Sequence, residues 1–95
     1  MAYVYILLCS NGTYYTGSTI DLETRLDQHF NGAGSNYTMK YPPIELLYCE
    51  VLSDIDEAYL REKQIQGWSR KKKEALIHNN PLDLPLLSKK QWRRK

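Results

Sequence analysis

The sequence predicts an α+β domain, a small three-stranded and mainly antiparallel sheet flanked by helices in the order β-β-α-β-α-α. Three observations carry that prediction. Two strand-like runs, "YVYILLC" (3–9) and "TYYTGS" (13–18), flank Asn11-Gly12, a strong short-range hairpin signal. A third run, "IELLYCEVL" (44–52), has strand composition with mixed alternation. Helical apolar spacing follows both the hairpin and the third strand. A chain of 95 residues suits one domain with one modest core.

In the first strand, Val4, Ile6 and Leu8 form an aliphatic face, the expected core side, and Tyr3, Tyr5, Leu7 and Cys9 form the other. The second strand brings Tyr14 and Tyr15, then Gly17, whose missing side chain weakens a sheet but lets a backbone or ligand approach closely. Thr19 or Asp21 can cap a helix running to about Phe30, with Asp21 and Glu23 favourable near its positive end. Its apolar stripe is Leu22, Leu26 and Phe30; Arg25 and His29, one turn apart, share the adjoining edge. Residues 31–43, "NGAGSNYTMKYPP", read as a long Gly-rich loop closed by a proline pair, and loops of that length tend to be functional. After the third strand, Ser53 or Asp54 starts a helix, with Ser53-x-x-Asp56 resembling a capping box. Gly67 ends it, Ser69 caps the next, and Asn79-Asn80-Pro81 stops that one. The expected domain is 1–80, followed by a basic tail, 81–95, without clear period.

Composition is that of a soluble globular chain, 42% hydrophobic and 25% charged, so neither disorder nor a membrane partner is expected. The longest apolar run, Ala2 to Cys9, is far short of the about 20 residues a membrane helix needs. It also lacks the basic lead-in and cleavage site of a signal peptide. Cys9 and Cys49 stand in no metal-ligand spacing and read as buried free thiols of a cytoplasmic protein.

The net charge of +2 conceals an asymmetry. Residues 1–60 hold 2 Lys/Arg against 8 Asp/Glu, and residues 61–95 hold 11 against 3. Basic charge concentrates in "SRKKKEA" (69–75) and "SKKQWRRK" (88–95). A one-ended positive field suits a polyanion such as nucleic acid, although lysine runs also serve as plain solvated helix faces. The candidate nucleic-acid contacts are Lys40, Arg70, Lys71, Lys72 and Lys73, then Lys89, Lys90, Trp92, Arg93 and Arg94, with Lys95 at the end.

One residue is at odds with its element. With Ile55, Ala58, Tyr59 and Ile65 taken as a helical stripe, Glu62 of "REKQIQGW" (61–68) falls inside it. An unpaired carboxylate in an apolar interior costs several kcal/mol. It needs a cationic partner, for which Arg25 is a candidate, or a proton, or a metal at the bottom of an open cleft.

Val4-Tyr5, then Tyr15-Thr16-Gly17 ten residues on, Arg25, His29 and Glu62 on a later helix form an ordered set. That set resembles the GIY-YIG nuclease superfamily. Tyr3-Val4-Tyr5 stands where the family has Gly-Ile-Tyr, with Tyr3 in place of the glycine, and Tyr15-Thr16-Gly17 stands for Tyr-Ile-Gly. The resemblance covers about residues 3–78 and is closest to small stand-alone bacterial members, which share stretches like "YTGST", "NYT", "REKQI" and "WSRKKKEALI".

The resemblance implies a metal-dependent endonuclease that hydrolyses DNA phosphodiester bonds, in repair or recombination. Glu62 would be the sole protein carboxylate on one Mg²⁺ or Mn²⁺, and Arg25 would offset charge on the phosphoryl oxygens. Tyr15, assisted by Tyr5 or His29, would orient and deprotonate the attacking water. On chemistry alone His29, about 6.5 unperturbed, is an easier base than a phenol at about 10. The family's late asparagine corresponds to Asn79 or Asn80. The competing class is a nucleic-acid-binding module that keeps the site and cleaves little; a protein-interaction module leaves the five-residue set unexplained. So short a chain offers few base-reading contacts, so a partner protein is expected to target it.

A shared tyrosine site also constrains the hairpin. A two-residue Asn11-Gly12 turn would pair Ser10 with Thr13 and put Tyr5 and Tyr15 on opposite faces. An odd-length loop, or a bulge with Gly12 in the left-handed region, brings them to one face. The bulge with left-handed Gly12 is the expectation.

Overall fold

Residues 1–80 are described by the structure, a computed structural model. Strands β1 (Ala2–Cys9), β2 (Tyr14–Thr19) and β3 (Pro43–Leu52) form an antiparallel sheet in the order β2-β1-β3. Helices α1 (Leu22–Phe30), α2 (Asn36–Lys40), α3 (Ile55–Gln66) and α4 (Arg70–His78) complete an α+β domain. Among the described residues, no helix is long and apolar enough to cross a membrane. The tail, with Lys89, Lys90, Trp92, Arg93, Arg94 and Lys95, lies outside the described residues.

Local chemistry sets each boundary. Asp21, Asp54 and Ser69 hold extended backbone and accept from the amides of Thr24, Glu57 and Lys72, so they are the N-caps of α1, α3 and α4. Of the two starts open for α3, Asp54 is therefore the cap, and the Ser53-x-x-Asp56 box does not form. The Ser53 hydroxyl instead donates to the Glu57 carboxylate.

The stretch 31–43 is not wholly loop, because α2 lies inside it. Ser35 caps it by accepting from the Thr38 amide, and five residues are too few to show a helical period in sequence.

The hairpin solves the register problem with an odd loop and a left-handed glycine together. The Cys9 amide donates to the Thr13 carbonyl at 2.9 Å across Ser10-Asn11-Gly12, and Gly12 has φ +82°. The pairing then runs Leu7 with Tyr15, Ile6 with Thr16 and Tyr5 with Gly17. Because cross-strand partners share a face, Tyr5, Leu7 and Tyr15 stand together.

The core lies on both sides of the sheet, where the sequence suggested one. Ala2, Val4, Ile6 and Tyr48 pack against Ala58 and Ile65 of α3. Tyr5 and Leu7, with Leu46, pack against Leu22 and Leu26 of α1. The tyrosine-bearing face is thus as buried as the aliphatic one. A register shift in β3 between the partners of Ile6 and Leu7 sends Tyr48 to one face and Leu46 to the other, which explains that strand's mixed alternation.

Candidate active site

The five residues of the ordered set come from β1, β2, α1 and α3; the structure groups Tyr5, Tyr15, Arg25 and His29 on one face of the hairpin and brings Glu62 to Ser18 of β2. Tyr5 is 1% exposed, and its hydroxyl lies 2.7 Å from His29 Nε2. Gly17, opposite Tyr5, makes the room: a Cβ there would sit 2.5 Å from Tyr5 Cζ. The close approach that Gly17 permits is by the Tyr5 ring, from within the protein. Tyr15, half-buried, places its ring 6.5 Å from that of Tyr5 and 5.3 Å from His29.

Burial raises the Tyr5 phenol well above its ordinary value, against the pull of the Arg25 guanidinium beside it, while Tyr15 and Glu62 also bear on it. Tyr5 therefore keeps its proton at neutral pH. Burial, reinforced by Arg25, pulls His29 down to about 4, so its imidazole is neutral. His29 is 1% exposed, and its other nitrogen, Nδ1, lies 2.8 Å from Thr38 Oγ1. Both ring nitrogens are committed inside the protein, so His29 does not meet solvent.

Glu62 reaches β2 from the opposite face. Its side chain is 13% exposed, flanked on α3 by buried Ala58 and Ile65. The stripe expected for α3 is narrower than its apolar residues suggested, since Ile55 is 41% and Tyr59 52% exposed. Arg25 does not pair with Glu62; its guanidinium donates to Gln28 at 2.9 Å. The Ser18 hydroxyl donates to Glu62 Oε1 at 2.5 Å, and Gln66 Nε2 donates to Oε2 at 2.8 Å, with Lys63 at 3.9 Å. Gln66 also donates to the Thr16 carbonyl at 3.2 Å, tying α3 to the strand edge. Neither Ser18 nor Gln66 was singled out in the sequence, although Ser18 lies within "YTGST".

A cleft of about 290 Å³ straddles this edge, lined by Tyr15 and Tyr37 from one face and by Tyr14, Thr16, Gln66 and Lys73 from the other. Tyr37 stacks on Tyr15 at 6.0 Å and is fixed by Thr13 and by Asn11 Nδ2. Tyr37 was not singled out in the sequence, although it lies within "NYT".

The donor set suits one hard cation. Among the described residues no group of three or more His, Cys, Asp or Glu could hold a metal. Glu62 offers two oxygens, each oriented by one neutral donor and each retaining lone-pair capacity. A single carboxylate with waters and phosphate oxygens is how Mg²⁺ is commonly held.

The expected basic contacts divide by what each touches. Arg70 is held by the protein, its guanidinium 4.2 Å over the Tyr14 ring, 3.2 Å from Glu74 and donating to the Gly12 carbonyl at 2.6 Å. Lys72 sits over Trp68 at 4.3 Å and Lys40 over Tyr41 at 5.4 Å. Lys71 is exposed, and Lys73 lines the cleft. Asn79 ends α4, and Asn80 donates to the Leu76 carbonyl at 2.7 Å; among the described residues no hydrogen bond joins either to the cleft. Cys9 is buried and Cys49 half-buried, both free, with burial raising both thiols.

Known proteins place this arrangement. A family model described as the GIY-YIG catalytic domain matches residues 1–75. A UPF0213 protein of Staphylococcus saprophyticus is 43% identical over 75 residues, covering 79% of this chain and 92% of that one. Another, of Halobacterium salinarum, is 43% identical over 77 residues, covering 81% of this chain and all of that one. The solution NMR structure of a UPF0213 protein from Bacillus halodurans superposes with a TM-score of 0.53 at 38% identity, covering 82% of this chain and 84% of that one. With a paired-tyrosine hairpin, a buried histidine and a carboxylate delivered to the β2 edge, the chain belongs to the GIY-YIG domain family.

Proposed function

We propose that this protein is a divalent-metal-dependent endonuclease that hydrolyses DNA phosphodiester bonds at the free edge of β2. The observation that carries the reading is the grouping around β2: the Tyr5 hydroxyl 2.7 Å from His29, the Tyr15 ring 5.3 Å from the same imidazole, Arg25 beside Tyr5, and Glu62 held by Ser18 of that strand. Glu62 would hold one Mg²⁺ or Mn²⁺ with Ser18 and Gln66 orienting its oxygens. When bound, that cation supplies Lewis-acid polarisation of the scissile phosphate. Arg25 is placed to offset charge on the phosphoryl oxygens through its guanidinium fork.

Of the two candidate bases, Tyr15 is favoured over His29. His29 is the better base in water but is sealed between Tyr5 and Thr38, whereas Tyr15 is half-buried and lines the cleft. Lys71 and Lys73 are the described cations best placed for phosphate. Within this reading the chain serves DNA repair or recombination in the cytoplasm, and a partner protein directs it to its DNA.

The test is cleavage of duplex, nicked, branched and single-stranded DNA by purified protein with Mg²⁺, Mn²⁺ or chelator. Metal-dependent products are expected from the wild type, and a loss of orders of magnitude from Glu62→Gln. Band shifts without products in any metal would make the protein a binding module instead. Stability separates chemistry from scaffold. A glutamine at 62 can still accept from Gln66 and donate to a rotated Ser18 hydroxyl, so metal-free stability should change by only about 1 kcal/mol. Added Mn²⁺ should raise the melting temperature of the wild type and leave the variant unmoved.

A further inference from the structure

We infer that Thr38 is a positioning residue that holds His29 in a single tautomer and so turns the Tyr5 hydroxyl proton toward the imidazole, leaving the phenol lone pairs for Arg25. The inference deepens the nuclease reading and, for its kinetic part, rests on it. Four groups form one chain of hydrogen bonds, and only one distribution of protons satisfies them all. Tyr5 faces His29 Nε2 at 2.7 Å, and His29 Nδ1 faces Thr38 Oγ1 at 2.8 Å. Thr38 Oγ1 in turn donates to the Ser35 carbonyl at 3.2 Å and lies 3.2 Å from the Ser35 hydroxyl.

Consider a His29 protonated at Nε2. It would donate to Tyr5, and the Tyr5 proton would then need another acceptor. Of its other neighbours, Arg25 is the one in hydrogen-bond reach and carries donors only, while Tyr15 and Glu62 act on it through charge without a hydrogen bond. A buried hydroxyl proton without an acceptor loses its hydrogen bond to water and gains none in return, so that tautomer is disfavoured. With the proton on Nδ1 every group is satisfied: Tyr5 donates to Nε2, Nδ1 donates to Thr38, and Thr38 donates to Ser35. The imidazole is neutral at pH 7, so its tautomer is the open variable.

The surroundings are built around this bond. Tyr5, His29 and Thr38 are each 1% exposed. Gly34 closes over the His29–Thr38 contact, since a Cβ there would clash with His29 Nδ1 and lie 2.8 Å from Thr38 Oγ1. Helix α2, capped by Ser35, is what sets Thr38 against the ring. A loop without that turn would have no means of fixing the hydroxyl.

The test compares Thr38→Val, which keeps shape and removes the hydroxyl, with Thr38→Ser, which keeps the hydroxyl. Imidazole ¹⁵N NMR reads the tautomer directly. The wild type and Thr38→Ser should carry the His29 proton on Nδ1, and Thr38→Val, which strands that proton without an acceptor, should move part of the population to Nε2. In cleavage assays Thr38→Val should lower kcat about 10- to 100-fold with KM little changed, the usual scale for a lost outer hydrogen-bond partner. Thr38→Ser should restore it. An Nε2–H tautomer in the wild type overturns the inference, whether or not Thr38→Val folds. So does an unchanged Nδ1–H tautomer in Thr38→Val, or a Thr38→Ser as slow as Thr38→Val. A wild type that cuts no DNA would overturn the nuclease reading, and the tautomer spectrum would still judge the role of Thr38.

Discussion

Gly17 shapes the site by what it lacks. A methyl group there meets Tyr5 Oη and lies 2.5 Å from Cζ, and Tyr5 has nowhere to go in a core where it is 1% exposed. Overpacking of this kind costs about 1–3 kcal/mol. Gly17→Ala should therefore lower the melting temperature and displace the phenol from His29, with cleavage lost alongside. A variant as stable and active as wild type would mean the Tyr5 position is softer than its packing indicates.

His29 gives a second expectation at this scale. Its pKa is depressed from 6.5 to about 4 in the folded state. The unfolded chain thus takes up a proton first as pH falls, so the contribution of His29 to stability is full above 6.5 and lost on the way down to 4. The steepest slope is about 1.4 kcal/mol per pH unit. Urea melts between pH 7 and 4.5 should show a smaller stability loss for His29→Gln than for wild type.

Tyr5, Tyr15, Arg25, His29 and Glu62 were legible in the sequence through their order and spacing. The groups that hold them were not. Ser18 meets Glu62 across 44 positions and Tyr5 meets His29 across 24, and hydrogen bonds over such separations leave no local pattern.

At the scale of elements, α4 begins with four cations, Arg70 to Lys73, at the end where the helix dipole is positive. Each carries a penalty of about 0.3–1 kcal/mol. Arg70 escapes by turning back to Tyr14, Glu74 and the Gly12 carbonyl, which straps α4 to the hairpin. A charged hydrogen bond of about 1.5–3 kcal/mol and a cation–π contact of about 0.5–1 outweigh the dipole term, even discounted for exposure. Arg70→Ala should therefore destabilise by about 1–2 kcal/mol in a denaturant melt, and its DNA affinity should keep the wild-type salt dependence.

The elements themselves were mostly legible. Strands and long helices announced themselves by period and caps, whereas α2 was too short to do so. The second core was hidden because its sheet face mixes Tyr5 with Leu7 and so reads as polar. On α3 the difficulty was reversed: Ile55 and Tyr59 looked like core and are largely exposed, because the buried arc is only as wide as the contact with the sheet.

For the whole molecule, the separation of charge sets how DNA would be held. The acidic first 60 residues build the three-stranded sheet, α1 and α2, and the basic remainder begins within α3. If Lys89, Lys90, Arg93, Arg94 and Lys95 all contact duplex phosphates, deleting residues 88–95 should flatten the log-affinity against log-salt slope by about 4 to 5. An unchanged slope would assign the tail to solvent and leave binding to Lys71, Lys73 and the cleft.

The three-residue loop between Cys9 and Thr13 acts on the candidate site as a reading frame acts on a gene. Adding or removing one residue there would turn every side chain of β2 over. Tyr15 would face α3, Thr16 would face α1, and the gap left by Gly17 would no longer lie under Tyr5. The sheet could still form, since both its faces are apolar enough to bury. Changes of length in this hairpin are therefore quantised: a pair of residues preserves the frame, and a single one yields a folded protein whose site no longer spells anything.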